Sequence, residues 1–125
     1  MIKRIIIDLD HTLCFSDGDY LDATPNRIVI DKLREYRALG FEIVVYTSRN
    51  MRTYEGNIGK INVHTLPVIL DWLYQHDVVF DEVVVGKPWC GHDGFYVDDR
   101  ALRPDEFARM TPEEVSQMFG TGSKK

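Results

Sequence analysis

The sequence predicts an α/β domain with a mostly parallel central sheet. Short apolar runs alternate with helix-like segments along the chain, in the order strand, helix, strand, helix, strand, strand. The first run is also apolar without alternation, which is typical of parallel strands buried on both faces. At 125 residues the chain is long enough for one such domain, which we place at residues 1–119, with 120–125 as a frayed tail.

Four apolar runs are predicted as strands. The first covers residues 2–7, and the others cover residues 41–46, 82–85 and 95–97. A polar side chain follows within two residues of the end of every one of these runs. Parallel strands joined by right-handed crossovers have their carboxyl ends at one edge of the sheet, where α/β folds bind ligands. The polar residues are therefore expected to gather into one cluster.

The first helix is predicted between the first two strands. Thr24 and Pro25 are the residue types of an N-cap and a first helical position, and Gly40 can end the helix. The apolar side chains expected on its inward face are Ile28, Val29, Leu33 and Tyr36.

The second half of the chain contains further helix signals. Residues 49–64 follow neither the helical nor the strand period and are predicted as a long loop. Thr65 can cap a second helix, and Thr111 with Pro112 can cap one of the one or two short helices expected in 103–119. The side chains expected to face inward from the second helix are Leu66, Ile69, Trp72 and Leu73.

Charge and composition exclude several classes of protein. The net charge of −5 argues against a protein that binds a nucleic-acid backbone. No apolar run approaches the roughly 18 residues of a membrane span, and the run at residues 5–7 is too short for a signal peptide. We therefore expect a cytoplasmic protein, in which Cys14 and Cys90 are free thiols. Nothing in the sequence indicates the oligomeric state.

The polar residues at the predicted strand ends have a composition suited to phosphate chemistry. Closely packed carboxylates repel one another unless a cation neutralises them, and a hard divalent ion such as Mg²⁺ fits oxygen ligands. A lysine beside a hydroxyl suits a phosphate dianion. The residues expected in this cluster are Asp8, Asp10, Thr47, Lys87, Asp98 and Asp99.

The same residues resemble the four motifs of the haloacid dehalogenase (HAD) superfamily of phosphohydrolases. The stretch DLDHT at residues 8–12 is similar to the DxDxT signature. Thr47, Lys87 and the pair Asp98–Asp99 resemble the other three motifs, in the same order. The stretches NIGKINVHTLP, VGKPWCG and GFYVDD further resemble a small bacterial subfamily associated with capsular polysaccharide biosynthesis.

The resemblance implies a Rossmann-like three-layer sandwich without a cap domain. Superfamily members with large caps insert them after the first strand or after the second motif. Here these two connections have about 11 and 16 residues, which is too short for a folded domain. The resemblance therefore implies a capless enzyme with an open site.

The resemblance also implies a role for each motif residue. Asp8 is the expected nucleophile, and Asp10 is expected to protonate the leaving group and then to activate water. Both would also bind Mg²⁺, Asp10 through its main-chain carbonyl. Thr47 and Lys87 would hold the transferring phosphoryl group. Asp98 would complete the metal shell, and Asp99 would bind the metal through water or orient Lys87.

Alternatives stay open at several positions. Ser48 could bind the phosphate instead of Thr47, and Lys60 competes with Lys87. The acid pairs could also be solvated turns or helix caps. Trp89 could form a wall of the site or pack in the core. Residues proposed as substrate contacts are His11, Arg49, Arg52 and Lys60.

The sequence thus predicts a Mg²⁺-dependent phosphomonoesterase with an aspartyl-phosphate intermediate. The expected substrate is a small phosphorylated metabolite, such as a sugar phosphate of capsule biosynthesis, and neither nucleic acid nor membrane is an expected partner. A phosphotransferase or phosphomutase is an alternative, because an acceptor other than water can take the phosphoryl group. A receiver-like signalling domain and a non-catalytic phosphosugar-binding module are two further alternatives.

Overall fold

The computed structural model of the protein describes residues 2–120 and has a mixed α/β architecture. A parallel three-stranded sheet and five helices form its framework, with a single 3-10 turn at Tyr20–Asp22. In chain order the elements are β1 (Arg4–Ile7), β2 (Cys14–Phe15), β3 (Thr24–Pro25), α1 (Arg27–Ala38), β4 (Glu42–Thr47), α2 (Ile58–His64), α3 (Leu66–Gln75), β5 (Glu82–Val85), α4 (Pro104–Arg109) and α5 (Pro112–Phe119).

The parallel sheet has the strand order β1–β4–β5, so β4 is its central strand. Ile7 of β1 pairs with Val45 of β4, and Thr47 of β4 pairs with Val85 of β5. The first three predicted strands are confirmed, and all three end at the same edge of the sheet. This shared edge carries the candidate site.

The fourth predicted strand, at residues 95–97, is wrong. Phe95 and Val97 are 79% and 87% exposed, and the segment joins no sheet. Its tyrosine is bound instead within its own loop, where the Tyr96 hydroxyl donates to the Pro88 carbonyl at 2.7 Å. Without this strand β1 lies at a sheet edge and Ile6 is 63% exposed, so the expected burial of β1 on both faces is also wrong.

Helix α1 begins later than its sequence predicts. Thr24 and Pro25 form β3, which pairs antiparallel with β2, and Asn26 is the N-cap. The Asn26 side chain bridges two parts of the chain, because its Nδ2 donates to the Thr12 carbonyl at 3.0 Å. The inward face also differs, since Ile28 is 64% exposed while Ile30 is buried. The rest of the predicted face, Val29, Leu33 and Tyr36, is buried.

The segment predicted as a loop over residues 49–64 contains helix α2. Asn57 caps this helix by accepting a bond from the Lys60 main-chain N–H at 3.1 Å. Ile61 is fully buried and anchors the helix. Gly86 allows the close approach of β5 to α2, because a Cβ there would lie 2.5 Å from Cδ1 of Ile58. A helical segment this short, with Gly59 in its first turn, has little periodicity to reveal it.

The helices around the sheet enclose the apolar core. On α3, Ile69, Trp72 and Leu73 are buried as predicted, and the Trp72 indole N–H donates to the Ala23 carbonyl at 2.9 Å. At the start of α5 Thr111 caps the helix as predicted, through a bond accepted from Glu114 N–H at 3.1 Å. The predicted tail lies outside the described residues, apart from residue 120. No helix within residues 2–120 has the length and apolar character needed to cross a bilayer.

Candidate functional site

The carboxyl ends of the three parallel strands bring four predicted site residues to one edge. Asp8 and Asp10 follow β1, Thr47 ends β4, and Lys87 follows β5. The main-chain N–H of Lys87 donates to the carbonyl of Thr47 at 3.1 Å, which continues the β4–β5 pairing past the end of β5. The edge of the sheet therefore presents two acids and one lysine within electrostatic reach of one another.

Asp8 is partly buried at this edge. Its Oδ1 accepts a bond from the main-chain N–H of Leu9 at 2.8 Å. Burial raises the pKa of the Asp8 carboxyl above its ordinary value, while the ammonium of Lys87 lowers it and the neighbouring Asp10 raises it further. A desolvated carboxylate that faces a lysine is a suitable nucleophile, because water does not shield its charge from an electrophile.

The carboxylate of Asp10 is held by Arg49. The Nε of Arg49 donates to Oδ2 at 3.1 Å, and Nη2 donates to Oδ1 at 2.8 Å. The Arg49 side chain is only 2% exposed, whereas that of Asp10 is 29% exposed. A two-point bond of this kind fixes the plane of the carboxylate as well as its position.

Tyr20 and Cys14, neither of which was predicted as part of the site, complete the surroundings of Arg49. The guanidinium lies over the ring of Tyr20 at 3.9 Å from the ring centre, and its Nη2 contacts Cys14 Sγ at 3.7 Å. Nη1 of Arg49 is buried and has no hydrogen-bond partner among the described residues. Tyr20 lies in a polar stretch without periodicity, so only the folded chain reveals this contact.

The two hydroxyl residues at the end of β4 differ in accessibility. Thr47 is 1% exposed, and its Oγ1 accepts a bond from the main-chain N–H of Arg49 at 3.0 Å. This bond shapes the turn that directs Arg49 toward Asp10. Ser48 is half-buried and lies between them in the chain.

Lys87 is flanked by two aromatic rings. Its Nζ lies 4.4 Å from the ring centre of Tyr96 and 6.0 Å from that of Tyr46. These ring faces attract the ammonium group and restrict its positions. The sequence does not predict either tyrosine as part of the site, because its pattern places both of them within strands.

An aromatic and cationic group borders this edge. The ring of Trp89 meets the ring of His92 edge to face at 5.0 Å, and the Arg52 guanidinium lies 5.9 Å from the Trp89 ring centre. Nη1 of Arg52 is 3.4 Å from Nε2 of His92. Trp89 is 41% exposed, so it belongs to the surface and not to the core.

The remaining predicted contacts lie on the surface. His11 is exposed, has a φ of 63°, and lines a shallow depression that also contains Phe15 and Arg103. Lys60 is exposed on α2 and lines a second depression, together with Tyr54. Of these two residues, only His11 contributes to the pKa of Asp8, which it lowers.

The carboxylates expected around Mg²⁺ are not assembled in one place. Asp98 and Asp99 are exposed, and Oδ1 of Asp98 accepts the main-chain N–H of Arg100 at 2.8 Å. Within residues 2–120, no three side chains of the His, Cys, Asp or Glu type lie close enough together to hold a metal ion. Both side-chain oxygens of Asp10 are engaged by Arg49, so only its main-chain carbonyl could serve as a ligand. As arranged here, the residues do not fit a complete metal shell.

Comparison with solved structures identifies a close relative. A crystal structure of a target protein from Vibrio cholerae is 61% identical, with a TM-score of 0.92, and the match covers 94% of this chain and 97% of that one. A chain in the structure of the Pnkp1/Rnl/Hen1 complex is 17% identical, with a TM-score of 0.50. This second match covers 86% of our chain and 34% of that chain, and it shows a similarity of fold alone. No protein-family model and no curated protein matches the chain.

Proposed function

We propose that this chain, which belongs to the same protein family as the Vibrio cholerae protein described above, is a phosphomonoesterase. The observation that carries the proposal is the position of Asp8, which is desolvated at the carboxyl end of β1 and lies under the influence of both Lys87 and Asp10. A nucleophile, a cation for the phosphate and a second acid are the groups that phosphoryl transfer through an aspartate needs.

The proposed reaction has two steps. In the first, an Oδ of Asp8 bonds to phosphorus, the bond from phosphorus to the leaving oxygen breaks, and Asp10 supplies a proton to that oxygen. In the second, a water oxygen bonds to phosphorus, the bond from phosphorus to Asp8 breaks, and Asp10 takes a proton from the water. Lys87 stabilises the negative charge of the phosphoryl oxygens in both steps.

The motif resemblance supports the finer assignment to the HAD superfamily. Under this assignment the domain is a Rossmann-like sandwich of the capless type. The connection from β1 to α1 contains only the short strands β2 and β3 and one 3-10 turn. The resemblance to the capsule-associated subfamily favours a small phosphorylated metabolite in the cytoplasm, such as a sugar phosphate, as the substrate.

Mg²⁺ is proposed as a cofactor from the motif resemblance alone. When bound, it would supply positive charge at the phosphoryl oxygens. The motif resemblance implies that Asp8 and the main-chain carbonyl of Asp10 would contribute oxygen ligands. No bond or proton transfer in the steps above is assigned to the metal, but turnover would need its charge.

The group formed by Trp89 and Arg52 supports a substrate with a ring-bearing leaving group. Trp89 exposes an aromatic face, and Arg52 places a cation against it. A sugar ring can pack on such a face, and the cation can meet a hydroxyl or an acidic substituent. We therefore propose that Trp89 and Arg52 contact the part of the substrate that leaves.

The test is hydrolysis of p-nitrophenyl phosphate and a panel of sugar phosphates, nucleotides and phosphorylated acids, with Mg²⁺ present. Asp8→Asn should remove turnover, while Asp17→Asn, the same change at an exposed acid, should retain it. Equal turnover by both variants would contradict the covalent mechanism. A phosphoaspartate that persists for many minutes would favour the receiver-like alternative.

Absence of turnover across the panel, with phosphosugar binding retained, would favour a non-catalytic binding module. Transfer of the phosphoryl group to an added sugar or alcohol, faster than to water, would favour the phosphotransferase alternative. Each of these results would contradict the proposed hydrolase activity and assign the same residues to a different function.

A further inference from the structure

Arg49 is unusual among the cations of residues 2–120 because its side chain is almost fully enclosed. Its guanidinium is 2% exposed and donates two bonds to Asp10, at 2.8 and 3.1 Å. Asp10 is the one ion-pair partner of Arg49 within residues 2–120. The two residues are 39 positions apart in the sequence, and the pairing of β1 with β4 brings them together.

A purely structural role explains this pair poorly. The cost of removing two charges from water offsets most of the attraction within a buried ion pair, so such a pair contributes little net stability. Nη1 of Arg49 is also buried without a hydrogen-bond partner among the described residues, which is unfavourable. A buried group kept at such a cost is common where a reacting side chain must be held in place.

We infer that Arg49 is a positioning residue that holds the Asp10 carboxylate for the hydrolysis of the aspartyl-phosphate intermediate. The inference rests on the proposed function. It differs from a substrate-binding role, because the enclosed guanidinium acts on the reaction through Asp10 and not through contact with the substrate.

The second chemical step always requires Asp10 to take a proton from water, so this step depends directly on the position of its carboxylate. Both oxygens of Asp10 accept N–H bonds from Arg49, which fixes the position and plane of that carboxylate. In the second step the water oxygen bonds to phosphorus and the bond from phosphorus to Asp8 breaks. The water proton passes to Asp10, and inorganic phosphate and free Asp8 are released.

The ring of Tyr20 stacks against the guanidinium of Arg49. The ring centre lies 3.9 Å from the central guanidinium carbon, and this stacking limits tilting of the group. The main-chain N–H of Arg49 donates to Thr47 Oγ1, and this bond fixes the main chain from which the side chain extends. The position of the Asp10 carboxylate therefore depends on an ordered series of contacts from β4 through Arg49.

The test uses 2,4-dinitrophenyl phosphate, whose leaving group departs without a proton. With this substrate kcat/KM reports formation of the aspartyl phosphate, whereas kcat also includes its hydrolysis. In Arg49→Lys and Arg49→Met we expect kcat to fall by about 10- to 100-fold, since general base catalysis is impaired. We expect kcat/KM to change by less than about threefold, and a burst of dinitrophenolate to precede slow turnover.

A second pair of variants covers the case in which Arg49 substitutions do not fold. Tyr20→Leu removes the stacked ring and should lower kcat in the same selective way but by a smaller factor, while Tyr20→Phe keeps the ring and should resemble the wild type. Thermal unfolding measured on every variant shows which of them are folded.

The outcomes separate the inference from the function on which it rests. In one outcome the wild type turns over, while the folded variants lose kcat and kcat/KM equally and show no burst. That result would overturn only the positioning role of Arg49. Wild-type protein that shows no turnover dependent on Asp8 would overturn the proposed function, and the inference with it.

Discussion

The main-chain N–H of Lys87 is bonded to the carbonyl of Thr47 at 3.1 Å, just beyond the end of β5. This bond sets the register of the Lys87 backbone against β4, so the lysine leaves the sheet at the edge where Asp8 lies. The Lys87 ammonium lowers the pKa of Asp8 more than any other group does, and so opposes the effect of burial on that pKa. The electrostatics of the candidate nucleophile thus depend on a main-chain bond between two other strands.

The pH dependence of activity should change when Lys87 is replaced by Met. Burial raises the pKa of Asp8 and Lys87 lowers it, so loss of the lysine raises this pKa further. Because the nucleophile must be ionised, activity is lost as the pH falls through the pKa of Asp8, and this loss should begin at a higher pH in the variant. At neutral pH kcat should fall by about 100-fold or more, since a charge on the phosphoryl group is left unmatched.

The measurement is kcat/KM against pH for the wild type, Lys87→Met and the control Lys3→Met. Lys3 is exposed and is not among the groups that shift the pKa of Asp8, so its variant should follow the wild-type profile. In Lys87→Met, kcat/KM could be lower at every pH while its loss at acid pH still begins at the wild-type pH. That result would contradict the electrostatic role assigned to this lysine.

Replacement of Asp8 by Asn should raise stability while it removes activity. An acid whose pKa is raised on folding favours its protonated form, so its ionised form destabilises the fold as the pH rises through the folded pKa. The gain should therefore be present at neutral pH and vanish below the ordinary carboxyl pKa of 3.8. The loss of the nucleophile should lower kcat by at least about 1,000-fold.

Thermal unfolding of Asp8→Asn at neutral and acid pH tests this linkage, with Asp17→Asn as the control for removal of a negative charge. An equal rise in unfolding temperature in the two variants would show that the gain in stability comes from the change in net charge and not from the burial of Asp8. A lower unfolding temperature for Asp8→Asn at neutral pH would contradict the prediction.

Removal of divalent metal should affect activity more than stability. The Asp10 charge is paired with Arg49 inside the chain, so the fold has no need of a metal to neutralise it. We expect EDTA to abolish turnover, added Mg²⁺ to restore it, and the unfolding temperature to change little. Full turnover in EDTA would refute the proposed cofactor, and a large loss of stability would refute internal neutralisation.

The two tryptophans should differ in their contribution to stability. Trp72 is 1% exposed and its indole N–H donates to the Ala23 carbonyl at 2.9 Å. Trp72→Phe removes that donor and leaves a small cavity, which should cost about 2–3 kcal/mol of unfolding free energy. Trp89→Phe, the same change at the surface, should cost less than about 0.5 kcal/mol by urea denaturation.

The two cysteines should react with thiol reagents at very different rates. Cys14 is fully buried, and burial together with Asp10 raises the pKa of its thiol to about 12. Cys90 is partly exposed, and neither residue forms a disulfide. Titration of the native protein with Ellman's reagent should modify Cys90 quickly and Cys14 only after unfolding. A fast phase that survives in Cys90→Ser would contradict this order.

Much of the fold could be predicted from local patterns. The strand at Glu82–Val85 has the predicted bounds, and β4 differs from its prediction by one residue at each end. Buried strands of this kind are continuous apolar runs bounded by polar residues, and such a run is visible without knowledge of its neighbours. The cap at Thr111 is likewise a local hydrogen bond between residues three positions apart.

The errors arose where a distant part of the chain decides the outcome. The run at residues 95–97 has strand composition, but a strand exists only where a neighbouring strand accepts its hydrogen bonds. Tyr96 bonds to the Pro88 carbonyl, and the segment lies outside the sheet. Asn26 displaced Thr24 as the helix cap because the chain before α1 pairs with β2.

The sequence by itself determined the order of strands and helices and the position of Asp8, Asp10, Thr47 and Lys87 at strand ends, because these follow from local hydrophobic patterns. Only the tertiary structure decided which cation meets which acid. Arg49 reaches Asp10 through the register of β1 against β4 and the ring of Tyr20, and these contacts join residues far apart in the chain. Long-range packing determines such partners, and no local pattern encodes them.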